Sequence, residues 1–161
     1  MSIHSKTFYL NIFVKLLDRS AQDKKRKIVV LNECEGLKEE KMKLGVSTDF
    51  SAAHSLPRHH GKCKNLHGHT YRVDVVVEGE KKADTECVAD FAEMKAVIED
   101  VIELVDHKYL NEVISYPTSE NIALFLKDEL EKRLNGSNLG VTLHSIRIWE
   151  GKDKWVMVER D

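Results

Sequence analysis

Hydrophobic and polar positions alternate most cleanly over His69–Glu78. Tyr71, Val73, Val75 and Val77 fall on one face, and Arg72, Asp74 and Val76 on the other. A period of two predicts a half-buried strand, and Gly79–Lys82 ends it. Leu44–Phe50 predicts a shorter strand before it. The spacing then turns helical. Phe91, Met94, Ile98, Val101, Ile102 and Val105 form one apolar stripe, with Asp90 placed as N-cap and Glu93 as its capping-box partner. Pro117-Thr118-Ser119 opens a second helix whose stripe is Ile122, Phe125, Leu126, Leu130 and Leu134, and Gly136 stands where a helix commonly stops. Val141–Trp149 and Trp155–Val158 predict closing strands around Gly151. From Lys43 the order is therefore strand, strand, helix, helix, strand, strand.

Residues 1–41 follow another pattern. Two apolar runs, Thr7–Leu17 and Ile28–Leu31, flank the polar stretch Asp18–Lys27, and Glu33–Lys41 is rich in charge. They read as an extension before a unit, 42–161, that looks complete from Met42 onward. Thr7–Val14 has some character of a signal h-region, but Asn11 interrupts it, Lys15 follows it and no small-residue cleavage site is evident. Lys24-Lys25-Arg26-Lys27 reads as a solvated loop. The expected location is the cytoplasm, with no membrane partner, because every apolar stretch falls far short of the ~20 residues of a membrane helix.

Composition narrows the classes. Of 161 residues, 25 are basic and 27 acidic, a formal charge of −2, so a nucleic-acid binder's basic footprint is missing. Three cysteines, Cys34, Cys63 and Cys87, are an odd number, which argues for a reducing compartment rather than a disulfide framework.

Histidine placement changes the picture most. His54, His59, His60, His67 and His69 fall close together, and His67-Gly68-His69 opens the best strand. Side chains at i and i+2 of a strand share a face, so His67 and His69 can chelate one ion from a rigid backbone. His54 offers a third imidazole. Three protein ligands with one open position is the pattern of catalytic zinc, whereas a fourth ligand makes a closed structural site. Cys63, in a Gly-Lys-Cys-Lys loop, fits either scheme: a general base beside the ion, or the fourth ligand. Asp106-His107 offers a carboxylate able to orient an imidazole, or a plain helix end. Glu120 suits a helix's first turn. Glu150, at the end of a strand, has the acceptors to take two hydrogen bonds from an amidine-like edge.

The segments Asp49-Phe50-Ser51-Ala52-Ala53-His54, Cys63-x₃-His67-Gly68-His69, Asp90-Phe91-Ala92-Glu93-Met94-Lys95, Asp106-His107-Lys108-Tyr109-Leu110-Asn111, Pro117-Thr118-Ser119-Glu120-Asn121 and Trp149-Glu150 occur in that order. Together they resemble the 6-pyruvoyltetrahydropterin and 6-carboxytetrahydropterin synthase family over roughly residues 43–161. The three-residue gap between Cys63 and His67 is similar to the 6-carboxytetrahydropterin synthase branch of queuosine-type biosynthesis. The resemblance implies an α+β tunnelling fold. Each subunit would give a four-stranded antiparallel sheet and two helices, three subunits would close a barrel, and two trimers would stack into a homohexamer with interface active sites. It also implies Zn²⁺ on His54, His67 and His69, holding the side-chain hydroxyls of 7,8-dihydroneopterin triphosphate. Cys63 would be the base. Asp106 and His107 would be a second acid–base group facing Cys63 from a neighbouring subunit. Glu150 would anchor the pterin edge, with Thr118 and Ser119 adding contacts. Arg58, His59 and Lys62 are the charge-based candidates for the triphosphate. Gly151 departs from the family, which often has Thr after the pterin-binding Glu.

Three functions follow from these residues. One is a zinc lyase releasing 6-carboxytetrahydropterin, acetaldehyde and triphosphate. The second is its pyruvoyl-forming sister, which only eliminates triphosphate. The third is a non-catalytic zinc module with Cys63 as fourth ligand. A pterin-binding homologue recruited to another pathway, such as folate synthesis, would present the same pocket.

Overall fold

The computed structural model describes residues 40–160. The expectations for Thr7–Leu17, Lys24–Lys27, Ile28–Leu31 and Cys34 lie outside the described residues. Four strands form one antiparallel sheet in sequence order: β1 (Met42–His54), β2 (His67–Gly79), β3 (Thr142–Glu150) and β4 (Lys154–Glu159). Two helices, α1 (Phe91–Ile102) and α2 (Ser119–Gly136), lie between β2 and β3 in the chain. Four strands and two helices match the family's subunit architecture as expected. Among the described residues no helix is long and apolar enough to cross a membrane.

The alternation in β2 does what its pattern requires. Tyr71, Val73, Val75 and Val77 are buried beneath the helices, with Ile146 and Ile148 of β3 and Met94, Ile98, Ile122, Leu126 and Leu130 of α1 and α2. Burying such side chains contributes about 1.5–3 kcal/mol each. The opposite sheet face is polar. There Asp74 accepts hydrogen bonds from Ser47, Arg72 and the Trp149 indole. A bulge between Val76 and Val77 shifts the β2–β3 register. It skips His144, so that Leu143 shares the core face with Ile146 and Ile148.

Four local expectations need correction. β1 is thirteen residues rather than the seven of Leu44–Phe50, because Ser51-Ala52-Ala53-His54 continues pairing with Thr70, His69, Gly68 and His67. Long-range hydrogen bonds set its length, not the weak strand preference of Ser and Ala. Gly136 is the last helical residue of α2 rather than a left-handed stop. Extended Ser137 ends the helix, its amide at 3.1 Å and its hydroxyl at 2.7 Å donating to the Leu134 carbonyl. Phe91 stands at the first turn of α1 and is 57% exposed, so it lies outside the buried stripe. The Asp90 cap does form. Its carboxylate accepts from the Ala92 amide at 2.7 Å and the Glu93 amide at 3.2 Å. The return bond from the Glu93 side chain, the other half of a capping box, is not found among the described residues.

Asp90→Ala would leave two amides at the start of α1 without acceptors. The expected cost is about 1 kcal/mol, read as a lower urea midpoint at unchanged m-value. Asp90→Asn is expected to recover most of it.

Candidate metal centre and active site

The β1–β2 register assembles the site. His54, the last residue of β1, pairs with His67, the first of β2, and Ala52 pairs with His69. All three imidazoles stand on the helix-covered face at one end of the sheet. Their ring centroids are 4.5, 4.8 and 5.2 Å apart, and three ligand atoms, one from each, lie within 4.8 Å of one another.

The second ring nitrogens decide what the first can do. His54 is buried, and its Nδ1 lies 2.8 Å from the Pro117 carbonyl. His67 Nδ1 lies 2.8 Å from the Asn65 carbonyl. A carbonyl only accepts, so each Nδ1 carries the proton and each Nε2 a lone pair. Those two Nε2 atoms face each other at 3.1 Å. Two lone pairs at that distance repel unless a cation lies between them. Two nitrogens bound at about 2.05 Å to a tetrahedral zinc would sit about 3.3 Å apart. His69 fits as the third ligand. Burial holds it below the ordinary histidine pKa, an effect that the Glu150 carboxylate opposes and His54, His67 and Lys154 reinforce. Its Nε2 is buried without a hydrogen-bond partner. Glu150 Oε1 is 3.2 Å away, but the contact lacks hydrogen-bond geometry. The donor set thus fits an ion, with carbonyl groups fixing the ligand tautomers.

Glu150 ends β3 beside this cluster. Its Oε1 lies 3.6 Å from His54 Nε2, and its Oε2 accepts from the Ser119 hydroxyl at 3.2 Å. Ser119 and Glu150 open on a small hollow of about 180 Å³ with Glu120 and Lys154. Thr118 serves as N-cap of α2, its hydroxyl accepting from the Asn121 amide at 3.3 Å. Tyr71 lies beneath the imidazoles with its hydroxyl 3.5 Å from His54 Nε2. Burial, reinforced by the Glu150 charge, pushes that hydroxyl well above the ordinary phenol pKa.

Residues 106–111 run along the free edge of β1. The Ser51 amide donates to Asp106 Oδ1 at 2.9 Å, and the His107 amide donates to the Ser51 carbonyl at 2.7 Å. The Ala53 amide donates to the Lys108 carbonyl at 3.0 Å. Asn111 then clamps both backbone groups of Ser55 at 2.9 Å, and Tyr109 meets the Ser55 hydroxyl at the same distance. Asp106 and His107 do pair, Oδ2 to Nδ1 at 2.8 Å. The Ser51 amide holds the Asp106 carboxyl below its ordinary pKa, with His107 adding to it against a desolvation penalty. His107 has a positive φ of 53°, which costs a non-glycine residue energy. Its side chain is largely exposed. It lines an open hollow of about 610 Å³ together with His69, Thr70 and Tyr109.

Cys63 is half-buried in a short 3₁₀ turn, Lys62–Lys64, anchored by the Leu56 amide on the Cys63 carbonyl at 2.9 Å. It is not in the ligand cluster, which among the described residues comprises the three histidines. No hydrogen bond or ion pair joins it to Asp106 or His107 among the described residues. Sequence reasoning missed the Pro117 and Asn65 carbonyls and the Asn111 clamp. It read Tyr71 only as a core position.

Residues 43–161 match the family described as 6-pyruvoyl tetrahydropterin synthase. The chain belongs to that family. A protein of Archaeoglobus fulgidus, provisionally named 6-carboxy-5,6,7,8-tetrahydropterin synthase, is 41% identical over 76% of this chain and 99% of its own length. The dihydroneopterin monophosphate aldolase of Pyrococcus furiosus is 39% identical over 68% of this chain and 90% of its own. The solved 6-pyruvoyl tetrahydropterin synthase of Caenorhabditis elegans superposes with a TM-score of 0.67 at 27% identity, covering 76% of this chain and 97% of that one.

His54→Ala, His67→Ala and His69→Ala each leave two imidazoles. Metal analysis after loading with zinc and dialysis is expected to give one ion per chain for the parent and near zero for each variant, with Cys63→Ala retaining the parent value. Zinc at about 100 times its Kd should raise parent stability by about 2.7 kcal/mol and leave the histidine variants unmoved.

Proposed function

We propose that this protein is a zinc-dependent lyase that converts 7,8-dihydroneopterin triphosphate and one water to 6-carboxy-5,6,7,8-tetrahydropterin, acetaldehyde and triphosphate. Convergent imidazole lone pairs, with no fourth ligand in the cluster among the described residues, carry this reading, because they leave a coordination position for substrate. The three-residue gap between Cys63 and His67 and the similarity to the Archaeoglobus fulgidus protein over nearly the whole of that protein support the carboxy-forming reaction. When bound, zinc supplies Lewis acidity toward the substrate's side-chain oxygens.

This chain's residues supply the rest. Glu150, held by Ser119, accepts two hydrogen bonds from the amidine-like edge of the pterin, and Thr118 fixes the helix start that presents Ser119. Cys63 removes the side-chain proton. His107, oriented by Asp106, returns a proton from a neighbouring subunit, which is why no contact to Cys63 is needed within one chain. Arg58, His59 and Lys62 take the triphosphate charge. The catalytic unit is residues 42–161 with residues 1–41 as an extension, and it works as a cytoplasmic homohexamer with queuosine-type deazapurine synthesis as its pathway. The similarity to the Pyrococcus furiosus aldolase favours one second reading. In it, retro-aldol cleavage of dihydroneopterin monophosphate gives a 6-hydroxymethyl pterin and a phosphorylated two-carbon aldehyde.

Zinc-loaded protein incubated with each phosphate ester, with products identified by mass spectrometry, separates the readings. Carboxypterin and acetaldehyde from the triphosphate are expected. Cys63→Ala should lower turnover by roughly 10²–10⁴-fold, the usual worth of a proton-transfer group, while retaining zinc. A pyruvoyl product moves the protein to the sister branch. Hydroxymethyl product from the monophosphate establishes the aldolase reading. Zinc lost with Cys63 would make the site a closed structural one.

A further inference from the structure

Tyr71 is fully buried, and its position is fixed on three sides. In the sheet it pairs with Phe50 of β1 and Glu150 of β3, a row lying next to the histidine pairs. Its ring stacks on Phe50 at 4.8 Å and an interplanar angle of 15°, and meets His69 and His54 edge-on at 5.5 and 6.2 Å. The hydroxyl therefore has little freedom of direction. Its hydrogen-bond partner among the described residues is His54 Nε2 at 3.5 Å, the outer limit of such a bond. Although Glu150 is its cross-strand neighbour, no hydrogen bond joins the two among the described residues.

The acceptor is the difficulty. His54 Nδ1 is committed to the Pro117 carbonyl, so Nε2 holds the ring's one lone pair. Once that lone pair serves an ion, the phenol has a proton and nowhere to give it. A buried donor without a partner is disfavoured. The hydroxyl is directed toward the cluster, so an oxygen arriving there would accept.

Resting on the pterin reading above, we propose that Tyr71 donates a hydrogen bond to a side-chain hydroxyl oxygen of the pterin seated at the His54–His67–His69 cluster. It thereby selects ligands that carry an oxygenated side chain. The phenol is a positioning and specificity residue; it accepts no proton and forms no covalent bond. Phenylalanine at this position would keep the stack on Phe50 and remove only the donor.

Two unreactive ligands separate the side chain from the ring: neopterin, with side-chain hydroxyls, and 6-methylpterin, with none. Fluorescence titration of the zinc-loaded full chain gives a Kd for each. Tyr71→Phe is expected to bind neopterin about tenfold more weakly and 6-methylpterin within twofold of the parent, with zinc content and thermal midpoint retained. Equal weakening of both ligands would overturn the proposal, because the phenol would then be supporting Glu150 and the ring pocket. No change in either would make it a core residue only, and zinc loss would place its role on the ligands. Should phenylalanine disturb the packing, 3-fluorotyrosine at position 71 keeps the shape and strengthens the donor. Neopterin binding should then tighten about twofold with 6-methylpterin unchanged, and the absence of tightening would refute the idea. If the parent binds neither pterin, the functional reading falls and this inference with it.

Discussion

Two imidazole nitrogens face each other 3.1 Å apart, each ring already holding a backbone carbonyl through its other nitrogen. The protein alone does not satisfy that arrangement. Everything at this end of the sheet follows from it, because the register that sets His54 against His67 is the register of all of β1 and β2. A slip of β2 by one residue would turn His67 and His69 to the polar face, away from His54, and drive Arg72 and Asp74 into the core. The valines of β2 therefore protect the metal geometry from the far end of the strand. Burial of Val73, Val75 and Val77 disfavours the odd slips that would turn His67 and His69 away from His54.

The same strand organises the second half of the chemistry. β1 is an edge strand, and unpaired edge groups are a liability. Residues 106–111 cover part of that edge, with the Asp106 carboxylate and the backbone of His107 both spent on Ser51. Asp106 thus has two tasks, one oxygen for the Ser51 amide and the other for the His107 ring. This division explains the left-handed conformation of His107. The chain must turn sharply after Asp106 to keep both bonds, and the imidazole is thrust outward as a result. An outward imidazole on a sheet edge suits a neighbouring copy's site better than its own, in keeping with the proposed interface.

How much of this the sequence displayed depends on the range of the forces involved. The alternation of β2, the stripe of α2 and the His67–His69 pair are local patterns, and the structure follows them. The end of β1 is not local. Ser51-Ala52-Ala53 has no strand signature, and its pairing comes from Thr70, His69 and Gly68, brought back by the chain that follows. Asp106-His107 is similar: its two side chains do meet, but the reason they are fixed lies on Ser51, which adjacency along the chain does not reveal. Tyr71 was legible as a core position because it obeys the period of two. Its hydroxyl carries the additional meaning, and periodicity is blind to a single polar atom at the end of an aromatic ring. Gly136 shows the converse error: a residue type common at helix ends was read as the end itself, while the Ser137 hydroxyl actually closes the helix.

Relatives of this scaffold carry different activity names, so the three imidazoles by themselves do not choose a reaction. Elimination of phosphate begins with removal of a proton from carbon, whereas retro-aldol cleavage begins with removal of one from a hydroxyl. An ion at the triad assists both, since either path develops a carbonyl. The choice must therefore rest with the placement of the proton-moving groups. Those groups are carried by short, clamped segments rather than by the sheet: Cys63 on its 3₁₀ turn and His107 on the strip along β1. Such segments can change reach by an ångström without altering the register that holds the histidines. A rigid ion site with separately tethered acid and base lets one fold acquire neighbouring chemistries, because the costly constraint and the selective one are borne by different parts of the chain.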